Sequence, residues 1–205
     1  MITIIDYGLG NIRAFVNVYE RLNIKTKVAH NAEDIRGATK IILPGVGAFD
    51  YAMKQLNASG MRDELDNKVL GEKIPVIGIC VGMQILANSS EEGILPGLGW
   101  IDGEVKLFDT TKIPHKTRLP HMGWNNINPV NGHDLLNGLD AQSRFYFLHS
   151  YYFVCHNENE IISTTEYGIS YASAVNRENI FGIQFHPEKS HSNGIQLLKN
   201  FAVLS

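Results

Sequence analysis

The segment that most limits what this chain can fold into runs from Ile74 to Gln84 and reads Ile-Pro-Val-Ile-Gly-Ile-Cys-Val-Gly-Met-Gln. A continuous apolar run predicts a strand covered on both faces, as in a parallel sheet. The run breaks at Gly78-x-Cys80-x-Gly82, and the apolar positions Val81, Ile85 and Leu86 then predict a helix reaching Ala87. Cys80 therefore falls on a strand-to-helix turn. Glycines on either side let such a turn be sharp enough to present one side chain, as in a nucleophile elbow. A thiol there also meets the free amide N–H groups and positive end of a helix, surroundings that suit a nucleophile. The bland alternative is a small buried hydrophobe at a strand end. Partners later in the chain decide against it.

Composition narrows the function classes. A length of 205 residues is compatible with one domain spanning 1–205. The formal net charge is −3, and Lys and Arg are scattered, so neither nucleic acid nor an anionic membrane surface is an expected partner. No apolar run approaches the roughly 20 residues of a membrane span. Met-Ile-Thr-Ile-Ile-Asp6 lacks the basic and apolar regions of a signal peptide, and the only cysteines are Cys80 and Cys155. The expected location is the reducing cytoplasm, without disulfides.

Strand and helix patterns alternate through the first part of the chain. Ile2–Asp6 reads as a strand and ends in Gly8-Leu9-Gly10-Asn11, after which Ile12, Phe15, Val16, Tyr19 and Leu22 recur at helical spacing. Lys25–His30 predicts a second strand and Asn31 the cap of a helix ending at Ile35. Lys40–Leu43 predicts a third strand, stopped by Pro44-Gly45-Val46-Gly47, and helices follow over Ala48–Leu56 and Met61–Leu70. This order predicts an α/β fold with a mostly parallel central sheet, helices on both faces, and a site at the carboxyl ends of the strands. Gly8-x-Gly10 lacks the third glycine of a dinucleotide fingerprint, and the second strand ends in His30 rather than an acid, so no such cofactor is expected.

Further strands are predicted over Ile101–Phe108, Leu119–Asn128, Arg144–Val154, Glu160–Glu166, Ala172–Val175 and Ile180–Phe185, adding antiparallel strands in the second half. His149 and Ser150 interrupt the apolar Arg144–Val154 run, and buried polar groups need partners. The last strand leads into Gln184-Phe-His186-Pro-Glu188. On an extended segment His186 and Glu188 point to one side. The carboxylate can hold one ring nitrogen and leave the other to act as a base. His186 ends a buried strand as Cys80 does, so both are expected at the same edge of the sheet.

Gly78-Ile-Cys80-Val-Gly82-Met-Gln84 together with Gln184-Phe-His186-Pro-Glu188 resembles the paired signature of class I glutamine amidotransferases. Pro44-Gly45-Val46-Gly47, Leu119-Pro120-His121-Met122-Gly123-Trp124-Asn125, Thr164-Thr165-Glu166-Tyr167 and His186–Ser190 are similar to the glutaminase subunits of imidazole glycerol phosphate synthases. The likeness covers essentially the whole chain, with Val81 standing where leucine is usual. It implies Cys80 as nucleophile, His186 as base and Glu188 as its orienter. It implies an oxyanion hole from the N–H of Val81 and one from Val46 or Gly47, and L-glutamine held by Gly45, Gln84, His149, Ser150 and Tyr151. Ammonia would pass to a (β/α)8-barrel cyclase subunit in a heterodimer making imidazole glycerol phosphate and AICAR in histidine biosynthesis. Gly8, Leu9, Gly10, Asn11, Met122, Trp124, Tyr146 and Lys189 would meet that partner; no metal or cofactor is implied. Two readings stay open beside it. One is a paralogous subunit feeding a sugar-amidinating synthase of surface polysaccharide biosynthesis, the other a non-catalytic binding subunit.

Overall fold

The computed structural model describes residues 1–114, 118–130 and 132–204. The first half alternates β1 (Ile2–Ile5), α1 (Ile12–Arg21), β2 (Thr26–Ala29), α2 (Ala32–Ile35), β3 (Ile41–Gly45), α3 (Phe49–Ala58), α4 (Arg62–Asp66), β4 (Val76–Cys80) and α5 (Val81–Gln84). Every residue of β1, β3 and β4 is buried, which requires cover on both faces. Their pairing is parallel, in the order β2–β1–β3–β4. Asn31 caps α2, its side-chain oxygen accepting the Asp34 N–H at 3.1 Å.

The second half adds β5 (Ser89–Ser90), β6 (Gly103–Leu107), β7 (His121–Asn126), β8 (Asn128–Pro129), β9 (Arg144–His149), β10 (Tyr151–Cys155), β11 (Ile161–Glu166), β12 (Ser170–Arg177), β13 (Ile180–Ile183) and α6 (His191–Val203). β13 enters the sheet parallel to β4, and β12, β10 and β6 continue it antiparallel. β7 and β9 form a separate antiparallel ribbon. No helix among the described residues is long and apolar enough to cross a membrane.

Several expectations from the sequence change here: the strand expected over Leu119–Asn128 is two, β7 pairing with β9 and β8 with β11, and the strand expected over Lys40–Leu43 runs on through Pro44 and Gly45, in register with Ile79 and Cys80. The helix after Cys80 is a single turn and stops at Gln84, because the Leu98, Gly99 and Ile101 N–H groups take the carbonyls of Ile85, Ala87 and Leu86. The helix expected to Leu70 leaves α geometry after Asp66 and continues as a wider turn over Asn67–Gly71, closed by Glu72 N–H on the Asn67 carbonyl at 2.9 Å. The single strand expected over Arg144–Val154 is two, split at Ser150, because β9 pairs with β7 while β10 pairs with β6 and β12. The last strand ends at Ile183, and Pro187–Lys189 is a tight helical turn rather than an extended segment.

Candidate active site

Cys80 ends β4 with φ 57° and ψ −114°, a left-handed conformation that costs a non-glycine residue roughly 1–3 kcal/mol. The surrounding contacts hold it there. A Cβ on Gly78 would stand 2.4 Å from the Gly82 oxygen, and one on Gly82 would stand 2.0 Å from the Leu43 oxygen. The two glycines therefore serve the close approach of the turn to β4 and β3, and the strained torsion falls on Cys80 itself. Because α5 is one turn long, the support at the Cys80 sulfur comes from local N–H groups rather than from a long helix dipole. The Gln184 amide nitrogen lies 3.9 Å from the sulfur and the Leu148 carbonyl oxygen 4.0 Å.

His186 and Glu188 sit on the turn after β13. His186 Nδ1 is 2.9 Å from Glu188 Oε1, with the two side chains 4% and 3% exposed. The other carboxylate oxygen is buried without a hydrogen bond among the described residues, so the carboxylate's charge is met by His186. The His186 N–H donates to the Tyr146 carbonyl at 2.8 Å. Ser190 Oγ donates to the His186 carbonyl at 2.5 Å and accepts the Tyr146 N–H at 3.0 Å, which ties this turn to β9. Phe185 packs behind it, its ring 4.1 Å from that of Phe145. Burial opposes charge on His186, but its interactions with Cys80 and then Glu188 outweigh burial and raise the imidazole to about 10.

These groups open on one cavity of about 300 Å³. Cys80, Val81, Val46, Gly47 and His186 line it together with Gln84, His149, Ser150, Tyr151 and Lys189. Glu188 lies behind His186. Gly45 lies behind the wall, where a Cβ would stand 2.4 Å from the Gly82 nitrogen. Gln84 Nε2 donates to the Tyr151 carbonyl and to Gln184 Oε1, both at 3.1 Å, so Gln84 keeps its carbonyl oxygen for the cavity.

His149 Nδ1 donates to the same Tyr151 carbonyl at 2.7 Å, which makes Nε2 an acceptor, 3.2 Å from the Tyr171 hydroxyl and 3.2 Å from His121 Nδ1. Burial, then the neighbouring His121, lowers His149 to about 3, so this ring is neutral near pH 7. His149 thus holds the backbone of the cavity wall from inside the core.

Sequence reasoning missed Glu92, Pro120 and Leu148, which also line the cavity. Glu92 Oε2 accepts the Phe49 N–H at 2.8 Å and caps α3, whose Ala48 provides no side-chain cap. No local pattern signals this, because Glu92 and Phe49 meet only through the fold. Among the described residues, no group of three His, Cys, Asp or Glu side chains is arranged to hold a metal. Of the expected partner-facing residues, Met122 is 62% and Trp124 39% exposed, on β7 opposite Leu148 and Tyr146 of β9. Lys189 Nζ lies 5.6 Å over the Tyr146 ring. Gly8 and Asn11 are exposed, Gly10 is half-buried and Leu9 is buried.

The family model of class I glutamine amidotransferases matches residues 3–204. The chain is 55% identical to the imidazole glycerol phosphate synthase subunit HisH of Bdellovibrio bacteriovorus over 98% of this chain and 99% of that one. It is 51% identical to the HisH subunit of Leptospira interrogans over the full length of both. In fold it is similar to a solved glutamine amidotransferase, with a TM-score of 0.73 at 20% identity, covering 98% of this chain and 99% of that one. With the strained thiol, the buried histidine-carboxylate pair and the shared cavity in place, the chain belongs to the class I glutamine amidotransferase family and, within it, to the HisH subunits of imidazole glycerol phosphate synthase.

Proposed function

We propose that this chain hydrolyses the side-chain amide of L-glutamine at Cys80 and passes the ammonia to a (β/α)8-barrel cyclase subunit. One observation carries the chemistry: the strained Cys80 and His186, which is backed by Glu188, open on the same cavity. The Cys80 thiolate attacks the amide carbon, and His186, kept as the imidazolium by Cys80 and Glu188, protonates the amide nitrogen of the tetrahedral intermediate, whose collapse breaks the C–N bond, releases neutral ammonia and leaves the thioester. Neutral His186 then takes a proton from the water that cleaves the thioester, and glutamate leaves. The tetrahedral oxyanion is met by the N–H of Val81 and by that of Val46 or Gly47. The α-ammonium is matched by the Gln84 carbonyl oxygen and the Glu92 carboxylate, and the α-carboxylate by backbone N–H groups of Ser150 and Tyr151.

Ammonia is useful only if it reaches its acceptor before bulk water protonates it, so the cavity mouth needs a cover. Exposed Met122 and Trp124, on the strand paired with the one that carries the cavity-lining Leu148, are suited to one, and Lys189, which lines the cavity, lies over Tyr146 as a cation there. The full-length likeness to HisH subunits favours the imidazole glycerol phosphate acceptor over a sugar-amidinating one. The test is glutamate release by the chain alone, with the cyclase subunit, and with that subunit plus its ribonucleotide. Stimulation by the last pair is the expected result. No stimulation points to another acceptor, and activity retained by Cys80→Ala overturns the nucleophile assignment.

A further inference from the structure

The segment that supplies the second oxyanion donor is rigid at one end and loose at the other. Tyr7, 5% exposed and two residues past the end of β1, donates its hydroxyl hydrogen to the Pro44 carbonyl at 2.7 Å. From the side of the glycine loop, Gly10 presses on Pro44, where an added Cβ would lie 2.7 Å from the proline Cβ. Gly45 is wedged against the Val81–Gly82 backbone and paired with Cys80 in the sheet. Beyond Gly45 this restraint stops. Val46 is 42% exposed, and Gly47 has φ +94° with open space where a Cβ would be.

We propose that Tyr7 is a positioning residue for amide hydrolysis: its hydroxyl fixes the Pro44 carbonyl, confines rotation to the peptides beyond Gly45 that carry the Val46 and Gly47 N–H groups, and links the Gly8–Asn11 loop to the oxyanion donor beside Cys80. This rests on the glutaminase reading above. Three features of the surroundings support it. The phenol is the donor to Pro44, and burial first and the nearby Cys80 second push its pKa well above the ordinary range, so it keeps its proton at every working pH. Proline has no N–H, so the strand cannot be held at this residue by donating to the ladder, and the carbonyl is its remaining polar handle. Tyr7 directly precedes Gly8, so a displacement of the Gly8–Asn11 loop reaches Pro44 through the phenol and through Gly10.

The test uses the chain in complex with a saturating amount of its cyclase subunit. Tyr7→Phe keeps the ring and removes only the hydroxyl. The expected result is a glutaminase kcat lower by about tenfold to a hundredfold, the range for a misplaced catalytic group, with KM for glutamine within about twofold of the parent. Alkylation of Cys80 by iodoacetamide, which forms no oxyanion, should proceed at the parental rate. A parental kcat overturns the proposal, as does a kcat loss matched by an equal loss of iodoacetamide reactivity. If Tyr7→Phe does not fold, Gly10→Ala displaces Pro44 from the other side and should show the same split between kcat and KM; parental kcat there overturns it too. Cys80→Ala separates the two readings. A dead Cys80→Ala beside a fully active Tyr7→Phe removes this inference alone, whereas an active Cys80→Ala removes the glutaminase reading.

Discussion

His186 Nδ1 stands 2.9 Å from Glu188 Oε1 on a single helical turn, with both side chains buried and the turn fastened to β9 through Ser190. The pair is thus oriented before substrate arrives. Glu188→Gln keeps the shape but removes the charge and lets the amide present the wrong group to the ring. Glutaminase kcat in the complex should fall by at least about a hundredfold, in the range attributed to a positioned acid-base group. Steady-state glutamate release checks this, and a loss below tenfold would remove Glu188 from the mechanism.

The elevated His186 value depends on Cys80 as well as Glu188. In Cys80→Ala the histidine should titrate well below the parent's value of about 10, as followed by imidazole resonances in NMR. Because the folded value lies above the ordinary 6.5, this histidine's contribution to stability is fully present below about 6.5 and is lost as pH rises through about 10. An unchanged titration in Cys80→Ala would show that the two side chains do not interact.

His149 has the opposite sign. Its folded value of about 3 lies below the ordinary 6.5, so its contribution is present above about 6.5 and is lost as pH falls toward 3. Between these limits the parent should lose about 1.4 kcal/mol of stability per pH unit more than His149→Gln does. Urea unfolding at a series of pH values from 7 to 4 measures the difference. Parallel curves would mean that His149 accepts a proton without unfolding the core.

Gly82→Ala tests the packing beneath the elbow. The added methyl carbon would meet the Leu43 carbonyl oxygen at 2.0 Å, and neither backbone segment can yield without disturbing β3 or Cys80. A destabilisation of at least about 2 kcal/mol is expected, from overpacking that no rotamer can relieve. Thermal unfolding checks it, and a melting temperature equal to the parent's would show that the turn is looser than this contact implies.

Met122 and Trp124 test the cover. Both are exposed on β7, so replacing them with alanine should leave the melting temperature of the isolated chain within a few degrees. Their joint replacement should weaken association with the cyclase subunit by about tenfold or more, as expected for a large aromatic at an interface centre. Isothermal titration calorimetry measures it, and unchanged affinity would place the contact elsewhere.

Local sequence was enough to mark Cys80 on a strand-to-helix turn, to cap α2 at Asn31 and to set β1, β3 and β4 in a doubly covered sheet, because those features depend on near neighbours and burial alone. Pairing Cys80 with His186 and Glu188 needed the family likeness as well as spacing. Other features were beyond local reading. The Arg144–Val154 run divides at Ser150 because its halves join different strands, and the helix after Cys80 stops at Gln84 because a distant segment takes its carbonyls. Glu92 reaches the cavity by capping α3, and Tyr7 reaches Pro44 across the sheet. The sequence alone determined the fold class and singled out Cys80, His186 and Glu188 as the candidate residues. Tertiary structure decided which backbone groups are pinned and which are free around Cys80, since hydrogen bonds and close contacts between remote segments leave no periodic trace in the chain.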